Sequence, residues 1–325
     1  MDDPIELLIS TVNYRTPAHT IDCINAVLAD ADDLPPFRMV VVDNDSGDDS
    51  VALIGEHIAA HDLEDRVRLI PAPRNGGYAY GNNLAIRSAL DQGARPRYIW
   101  FLNPDTRVRP GAGRALIDFL EAHEQAGMAG SRLEDEDGSP QISAFRFHSP
   151  VSEFAGAMQF GPLDRLVRGR LVPMPLRDEP FEADWLAGAS MMMKARLIDD
   201  IGLMDEAYFL YFEEVDYCAA ARRAGWTIWY VPQSRVYHAV GAATGISDHR
   251  KKAPRRPAYW FESRRRFFIK NFGKATALMS DVALLSGFAI WRLRRAIQRK
   301  PDLDPPHFLG DLFFHSVFRK GFSIE

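Results

Sequence analysis

Six short segments of this 325-residue chain put carboxylates, amides, glycines or a histidine where an apolar run ends. Asp105 follows Asn103 and Pro104 just beyond the apolar run 98–102, and Pro104 stiffens the turn that aims its carboxylate. Oxygen ligands of this kind suit a divalent cation such as Mg2+ or Mn2+, although the same residues also make an ordinary β-turn. Asp43 opens the acidic stretch 43–50, where a carboxylate could accept a hydrogen bond from a pyrimidine N3–H. Its later members, Asp49 or Ser50, would cap a helix starting at Val51. Asn75, Gly76 and Gly77 join a strand to a helix, a place where backbone can approach an anion closely. Glu213, Glu214 and Asp216 follow the aromatic run 209–212. Acids at a helix start are stabilised by its dipole, and acids against an aromatic wall gain basicity through desolvation, which suits a general base. Asp216 is expected to be structural, paired with Arg222 or Arg223. His238 ends a β-like run; a lone histidine is more often structural than a ligand, and its company decides.

The elements that must position these groups alternate. Apolar runs at 5–12, 37–42, 67–70 and 98–102 read as buried strands, and 17–28, 51–60 and 78–90 read as helices. Pro17 sits in the first turn of its helix, with Ile21, Ile24, Val27 and Leu28 on one face. Such spacing predicts right-handed βαβ units and an α/β fold: a mostly parallel sheet with flanking helices, binding ligands at the carboxyl ends of its strands. Asn13 and Tyr14, Asp43, Asn75 and Gly76, Asn103 and Asp105 all fall at those ends. Residues 134–180, rich in Gly, Pro and charge, read as long loops with short strands. A strand is expected at 185–193, a short helix from Ala195, a helix at 212–224 and a strand at 226–231.

With 46% hydrophobic and 26% charged residues the chain is a folded globular protein. Two cysteines and no C-x-x-C leave zinc fingers and thiol redox sites unsupported, and a reduced compartment is the simpler reading. The N-terminus lacks the basic and apolar segments of a signal peptide, so a cytoplasmic location is expected. The net charge of −5 hides an asymmetry: residues 250–300 hold 15 Lys/Arg against 2 Asp/Glu, a balance of +13, which leaves −18 for the rest. Residues 275–291 are apolar but include Asp281 and fall short of the roughly 20 residues a spanning helix needs. The flanking Trp291 and arginines suit an interfacial helix on an anionic membrane surface. The alternative is helices packed on the rest of the chain or on another subunit of a homo-oligomer.

Taken in order, these segments resemble the family 2 glycosyltransferases of GT-A fold, and within them the bacterial rhamnosyltransferase-like branch that builds surface polysaccharides. The resemblance runs from 7–14 through 42–46, 75–78, 103–105, 185–189, 202–206 and 212–217 to His238, about the first three quarters of the chain. It implies a GT-A catalytic domain over 1–245, nucleotide-binding over about 1–130 and acceptor-binding over about 131–245. A helical, basic region follows over 246–325. By the resemblance, Asp43 contacts the base and Asp105 matches the last acid of the family's D-x-D metal motif, whose first position is Asn103 here. His238 completes the metal site, Glu214 is the catalytic base with Glu213 beside it, and Trp185, Gly188 and Ala189 line the sugar and acceptor pocket. The reaction implied is metal-dependent, inverting transfer from a nucleotide diphosphate sugar, dTDP-L-rhamnose for preference, to a lipid-linked or glycan acceptor at the inner face of the cytoplasmic membrane. No nucleic-acid partner is expected. A non-catalytic nucleotide-sugar binder would not need Glu213 and Glu214. A nucleotidyltransferase would carry a glycine-rich basic loop after the first strand, where this chain has Asn13, Tyr14, Arg15, Thr16 and Pro17.

Overall fold

The computed structural model of the chain describes residues 5–239 and 252–324. Two compact units emerge: Met1–Phe145 with Pro175–Phe209 and Glu213–Gly245, and Arg146–Met174 with Leu210–Phe212 and Ile246–Glu325. The second takes in 146–174 as well as C-terminal residues; the boundary expected at 245/246 lies outside the described residues.

The first unit begins with β1 (Leu7–Asn13), α1 (Pro17–Ala29), β2 (Phe37–Asp43), α2 (Ser50–Ala60), β3 (Val67–Pro71), α3 (Gly77–Asp91) and β4 (Tyr98–Leu102). These strands pair in parallel in the order β3-β2-β1-β4. They are near-continuous apolar runs because helices cover the sheet: Leu7, Ile9, Met39 and Val41 pack with Cys23, Ile24, Val27 and Ile54. Each element lies within two residues of its expected span. The α2 entry differs in detail, since Asp48 rather than Asp49 or Ser50 accepts the Ser50 N–H, at 2.9 Å.

Beyond β4 come β5 (Thr106–Val108), α4 (Ala112–Ala122), β6 (Ala126–Glu134) and β7 (Ala144–Phe145). Two helices of the second unit follow, α5 (Pro150–Met158) and α6 (Gly161–Leu166), where loops were expected. Ser149 closes a capping box with Ser152, and Pro150 takes the first turn. The first unit resumes with β8 (Phe181–Ala183), β9 (Trp185–Leu186), β10 (Ser190–Lys194), α7 (Leu197–Ile201), α8 (Glu213–Arg223) and β11 (Thr227–His238).

The strand expected at 185–193 is therefore two. Trp185 and Leu186 pair with Phe145 and Ala144, while β10 runs antiparallel between β4 and β6. The 187–189 link crosses between the two sheets, held by the bonds Ala187 N to Ser143 O and Asn103 N to Ala189 O, both 3.0 Å. Conversely β11 continues past 231. Its register on β6 shifts between Val231 and Arg235, around Pro232, which has no N–H to donate, and the strand then carries on to His238.

The second unit is helical: besides α5 and α6 it contains α9 (Ala258–Ile297), α10 (Phe308–His315) and α11 (Val317–Lys320). At Gly273 φ is 80° and ψ is 172°, so α9 is two helices joined at a glycine. Within this unit Arg264 is buried and reaches Glu153 of α5 at 2.7 Å, Asp281 at 2.5 Å and the Ser280 carbonyl at 3.0 Å. His148 Nδ1 lies 2.9 Å from Glu153, and the Val317 N–H donates to Asp281. One guanidinium thus clamps both halves of α9 to α5, and the paired charges keep the polar groups satisfied inside the unit.

Candidate active site

The site is assembled at the carboxyl ends of β1, β2 and β4. Asp43 ends β2 in register with Asn13 of β1. Its carboxylate accepts from Asn13 Nδ2 at 2.7 Å, from the Ser46 hydroxyl at 2.6 Å and from the Ser46 N–H at 3.1 Å. Asn13 is buried, and its Oδ1 accepts from the Thr20 hydroxyl at 2.8 Å as well as from Thr16. Its amide therefore orients Asp43. Tyr14 alone of this group is well exposed, with the Arg15 guanidinium 5.1 Å from its ring centre.

Asn44, which the sequence reading passed over, joins this strand end to the glycine loop. Its Nδ2 donates to Asn75 Oδ1 at 3.0 Å and to the Gly77 carbonyl at 3.1 Å, while its Oδ1 accepts from the Gly76 N–H at 3.4 Å. Gly77 has φ +84°, and a Cβ there would stand 1.7 Å from the Phe209 carbonyl oxygen. That carbonyl also accepts the Tyr78 N–H at 3.2 Å. Only glycine meets both demands.

The first two turns of α3 carry the other bonds of the site. The Tyr78 hydroxyl donates to the Gly188 carbonyl at 2.8 Å, and Asn82 accepts from Ser10 of β1 at 2.7 Å. Asn83 donates to the Met204 carbonyl at 2.8 Å and to Glu206 at 2.9 Å. Trp185 stacks on Phe145 with centroids 4.1 Å apart. Tyr78, Asn82 and Asn83 were visible only as polar residues on a helix; their partners lie 72 to 123 positions away in sequence, which no local pattern reveals.

Glu213 and Glu214 open α8 immediately after Tyr211 and Phe212, both at φ 70°. Two successive bulky residues in the left-handed region store strain, each at a cost on the order of 1–3 kcal/mol, and such strain concentrates at functional sites. Glu213 is buried, and its Oε2 has no hydrogen-bond partner among the described residues. Burial, with the neighbouring Glu214 charge, holds the Glu213 carboxyl well above the usual carboxylate range. Glu214 is half-buried. Both carboxylates lie close enough to Tyr78 to add to the burial that pushes its phenol up. Asp216 accepts the Tyr208 hydroxyl at 3.2 Å, while Arg222, one of its two expected partners, binds Glu182 at 2.7 Å.

Asp105 and His238 come together because β5 and β11 pair antiparallel with His238 opposite Thr106. His238 Nε2 stands 3.5 Å from Asp105 Oδ1, and the other ring nitrogen faces Gln141 Oε1 at 3.3 Å. Burial pushes Asp105 up and His238 down from their ordinary values, each against the pull of the other. A neutral imidazole is the ligand form of histidine. Two ligands at neighbouring positions of an octahedral cation, with bonds of about 2.1 Å, stand roughly 3 Å apart. The pair thus fits two positions of a divalent ion. Among the described residues no three His, Cys, Asp or Glu side chains form such a group, so the remaining ligands would be phosphate oxygens and water. Asp105 and Tyr237 also line a small cavity of about 70 Å³ with His19, Asp22, Thr106 and Arg107.

The model of "Glycosyl transferase family 2" matches residues 7–174, more than half of the chain. The N-acetylglucosaminyl-diphospho-decaprenol L-rhamnosyltransferase of Mycobacterium tuberculosis is 29% identical over 286 residues, which cover 82% of this chain and 88% of that protein. The dTDP-rhamnosyl transferase RfbF of Shigella flexneri is 24% identical over 180 residues, 54% of this chain and 53% of that protein. The mannosyltransferase PcManGT from Pyrobaculum calidifontis, solved with GDP-Man and Mn2+, superposes with a TM-score of 0.54 at 13% identity, covering 99% of this chain and 85% of that one. Its likeness extends to the GT-A fold. The chain belongs to the family 2 glycosyltransferases and is a rhamnosyltransferase-like member of that family.

Proposed function

We propose that the protein transfers L-rhamnose from dTDP-L-rhamnose to a hydroxyl of a lipid-linked, diphosphate-bearing sugar, with inversion, in the synthesis of cell-wall or surface polysaccharide at the cytoplasmic face of the membrane. The observation that carries this reading is the acid pair that opens α8 beside Tyr78, a buried Glu213 and a half-buried Glu214. A protein that only binds sugar nucleotides has no use for a buried carboxyl with one oxygen unpartnered among the described residues. The functions of the relatives in Mycobacterium tuberculosis and Shigella flexneri supply the sugar, the nucleotide and the acceptor class.

Asp43, oriented by Asn13 and Ser46, receives the base N3–H, and Tyr14 flanks it. The Asn75–Gly76 backbone and Asn103 border the diphosphate. Asp105 and His238 would hold a divalent cation, Mg2+ or Mn2+, which when bound would stabilise the charge of the departing diphosphate. Trp185, Gly188 and Ala189 border the sugar and acceptor. Glu214 takes the proton from the acceptor hydroxyl as its oxygen bonds to C1. The C1–O bond to the diphosphate breaks on the opposite face, and its electron pair leaves with the nucleotide. Burial and the adjoining Glu214 disfavour the charged form of Glu213, which lessens the negative charge beside the base.

Incubating the purified protein with dTDP-L-rhamnose, Mn2+ and an N-acetylglucosaminyl-diphospholipid analogue tests the reading. It predicts one dTDP released per disaccharide formed. Pyrophosphate release would mark a nucleotidyltransferase, and binding without turnover a sugar-nucleotide binder.

A further inference from the structure

The solvent side of the C-terminal half of α9 is apolar. After Gly273, Met279, Val282, Ile290, Leu293 and Ile297 recur at helical spacing on one face, and all five are exposed, Leu293 at 64% and Ile297 at 73%. The opposite face of the same helix is buried through Leu284, Phe288 and Trp291, packed with Phe261, Phe308 and Leu312. A helix on the surface of a soluble protein shows solvent a polar face; this one buries one apolar face and exposes another. Phe313, Phe314 and Phe318 of α10 and α11 are about half exposed as well. An apolar groove of about 530 Å³ runs between α9 and α10, lined by Leu285, Ser286, Ala289, Leu309, Gly310 and Phe313.

The charges of this segment are arranged around that face. Asp281 is buried on Arg264, and Arg295 is paired with Asp302 and Asp304. Lys274 lies at one end of the helix, Arg299 and Lys300 at the other, and Arg292 beside the stripe, all exposed. A neutral apolar strip about 27 Å long, rimmed by cations, matches the interface of an anionic bilayer. We propose that this face of α9, with the phenylalanines of α10 and α11, lies in the plane of an anionic lipid surface. The helix is long and apolar enough to cross a membrane. Its inner face, however, is packed into the unit and carries the Arg264–Asp281 ion pair, so it lies on the bilayer rather than through it. The proposal rests on the reading that the enzyme works at a membrane, to which it adds the surface that docks and the lipid chemistry it meets.

Flotation of the full-length protein tests it, using vesicles of phosphatidylcholine alone and of equimolar phosphatidylcholine and phosphatidylglycerol. Wild type is expected to float with the anionic vesicles and to lose binding as salt rises. The double variant Met279→Asp, Leu293→Asp should partition at least about tenfold more weakly. Its circular dichroism, its mass by light scattering and its turnover of a water-soluble acceptor should match wild type. If wild type floats and the double variant floats equally, this face is not the docking surface. If wild type floats with neither vesicle, the membrane reading itself fails. A wild-type oligomer that the double variant converts to monomers would make the face a contact between copies and overturn the proposal.

Discussion

The Tyr78 hydroxyl donates a 2.8 Å hydrogen bond to the Gly188 carbonyl, 110 positions away, and so ties the first turn of α3 to the link between β9 and β10. The same turn holds Phe209 through the Tyr78 N–H, and the next turn holds Met204 through Asn83. One helix end therefore sets the spacing between the glycine loop, the proposed sugar pocket and the segment that leads into Glu213.

Tyr78→Phe keeps the ring and removes that bond. Stability is expected to fall by about 0.5–1.5 kcal/mol. Because the link shifts relative to the acids, kcat should drop by about ten- to a hundredfold while donor affinity stays within about twofold. A variant whose donor affinity collapses and whose kcat is intact would place Tyr78 in donor binding instead.

Gly77→Ala tests the close approach to Phe209. A Cβ there meets the carbonyl oxygen at 1.7 Å, at a φ of +84° that side chains avoid. Urea denaturation should show a loss of more than about 2 kcal/mol. Gly47→Ala shares the positive φ but has nothing within 4 Å of its Cβ, and it should cost about 1 kcal/mol, in line with backbone strain alone.

Asp105→Ala should abolish the gain in dTDP affinity that Mn2+ confers, read by calorimetry, without lowering the melting temperature. His238→Ala should reduce that gain in part. An affinity for dTDP that responds to Mn2+ as in wild type would remove Asp105 from the metal site.

In the helical unit Arg264→Leu strands Glu153 and Asp281 in a buried setting, and it should destabilise the protein by about 3–5 kcal/mol. Burial alone would raise Glu153; the Arg264 guanidinium and the His148 contact outweigh it and hold the carboxyl at about 2, against an ordinary 4.5. A depressed carboxyl stabilises the fold fully above its unfolded value and loses that contribution as pH falls through its folded value. The gap in melting temperature between wild type and Glu153→Gln should therefore be constant above pH 4.5 and close as pH falls toward 2. A gap unchanged at pH 3 would mean that the charge of Glu153 contributes nothing.

The parallel half of the sheet was legible because strands buried on both faces, such as 39–42 and 98–102, are unbroken apolar runs, and the helices between them keep one apolar face. The strand-end position of Asp43, Asn75 and Asp105 followed from that alternation. What failed to show were features set by distant partners. The strand at 185–193 breaks because Ser143 and Asn103 hold its middle, and β11 passes Pro232 because a register shift spares the missing N–H. The α5 helix did announce itself, through Ser149, Pro150 and Ser152, in a stretch whose glycines and charges suggested loops. Asn44 and Tyr78 belong to motifs the sequence offered, but their work is done across the fold.

The central claim is that Glu214 is the base of a single displacement, and kcat of Glu214→Gln at saturating donor and acceptor tests it most directly, with Glu213→Gln in parallel. Glutamine keeps the size and most of the hydrogen bonding but takes no proton. The account predicts a fall of about 10²–10⁴-fold for Glu214→Gln with unchanged dTDP-sugar affinity, and a smaller loss for Glu213→Gln. Near-wild-type kcat for Glu214→Gln would contradict it, and an inactive Glu213→Gln beside it would exchange the two roles.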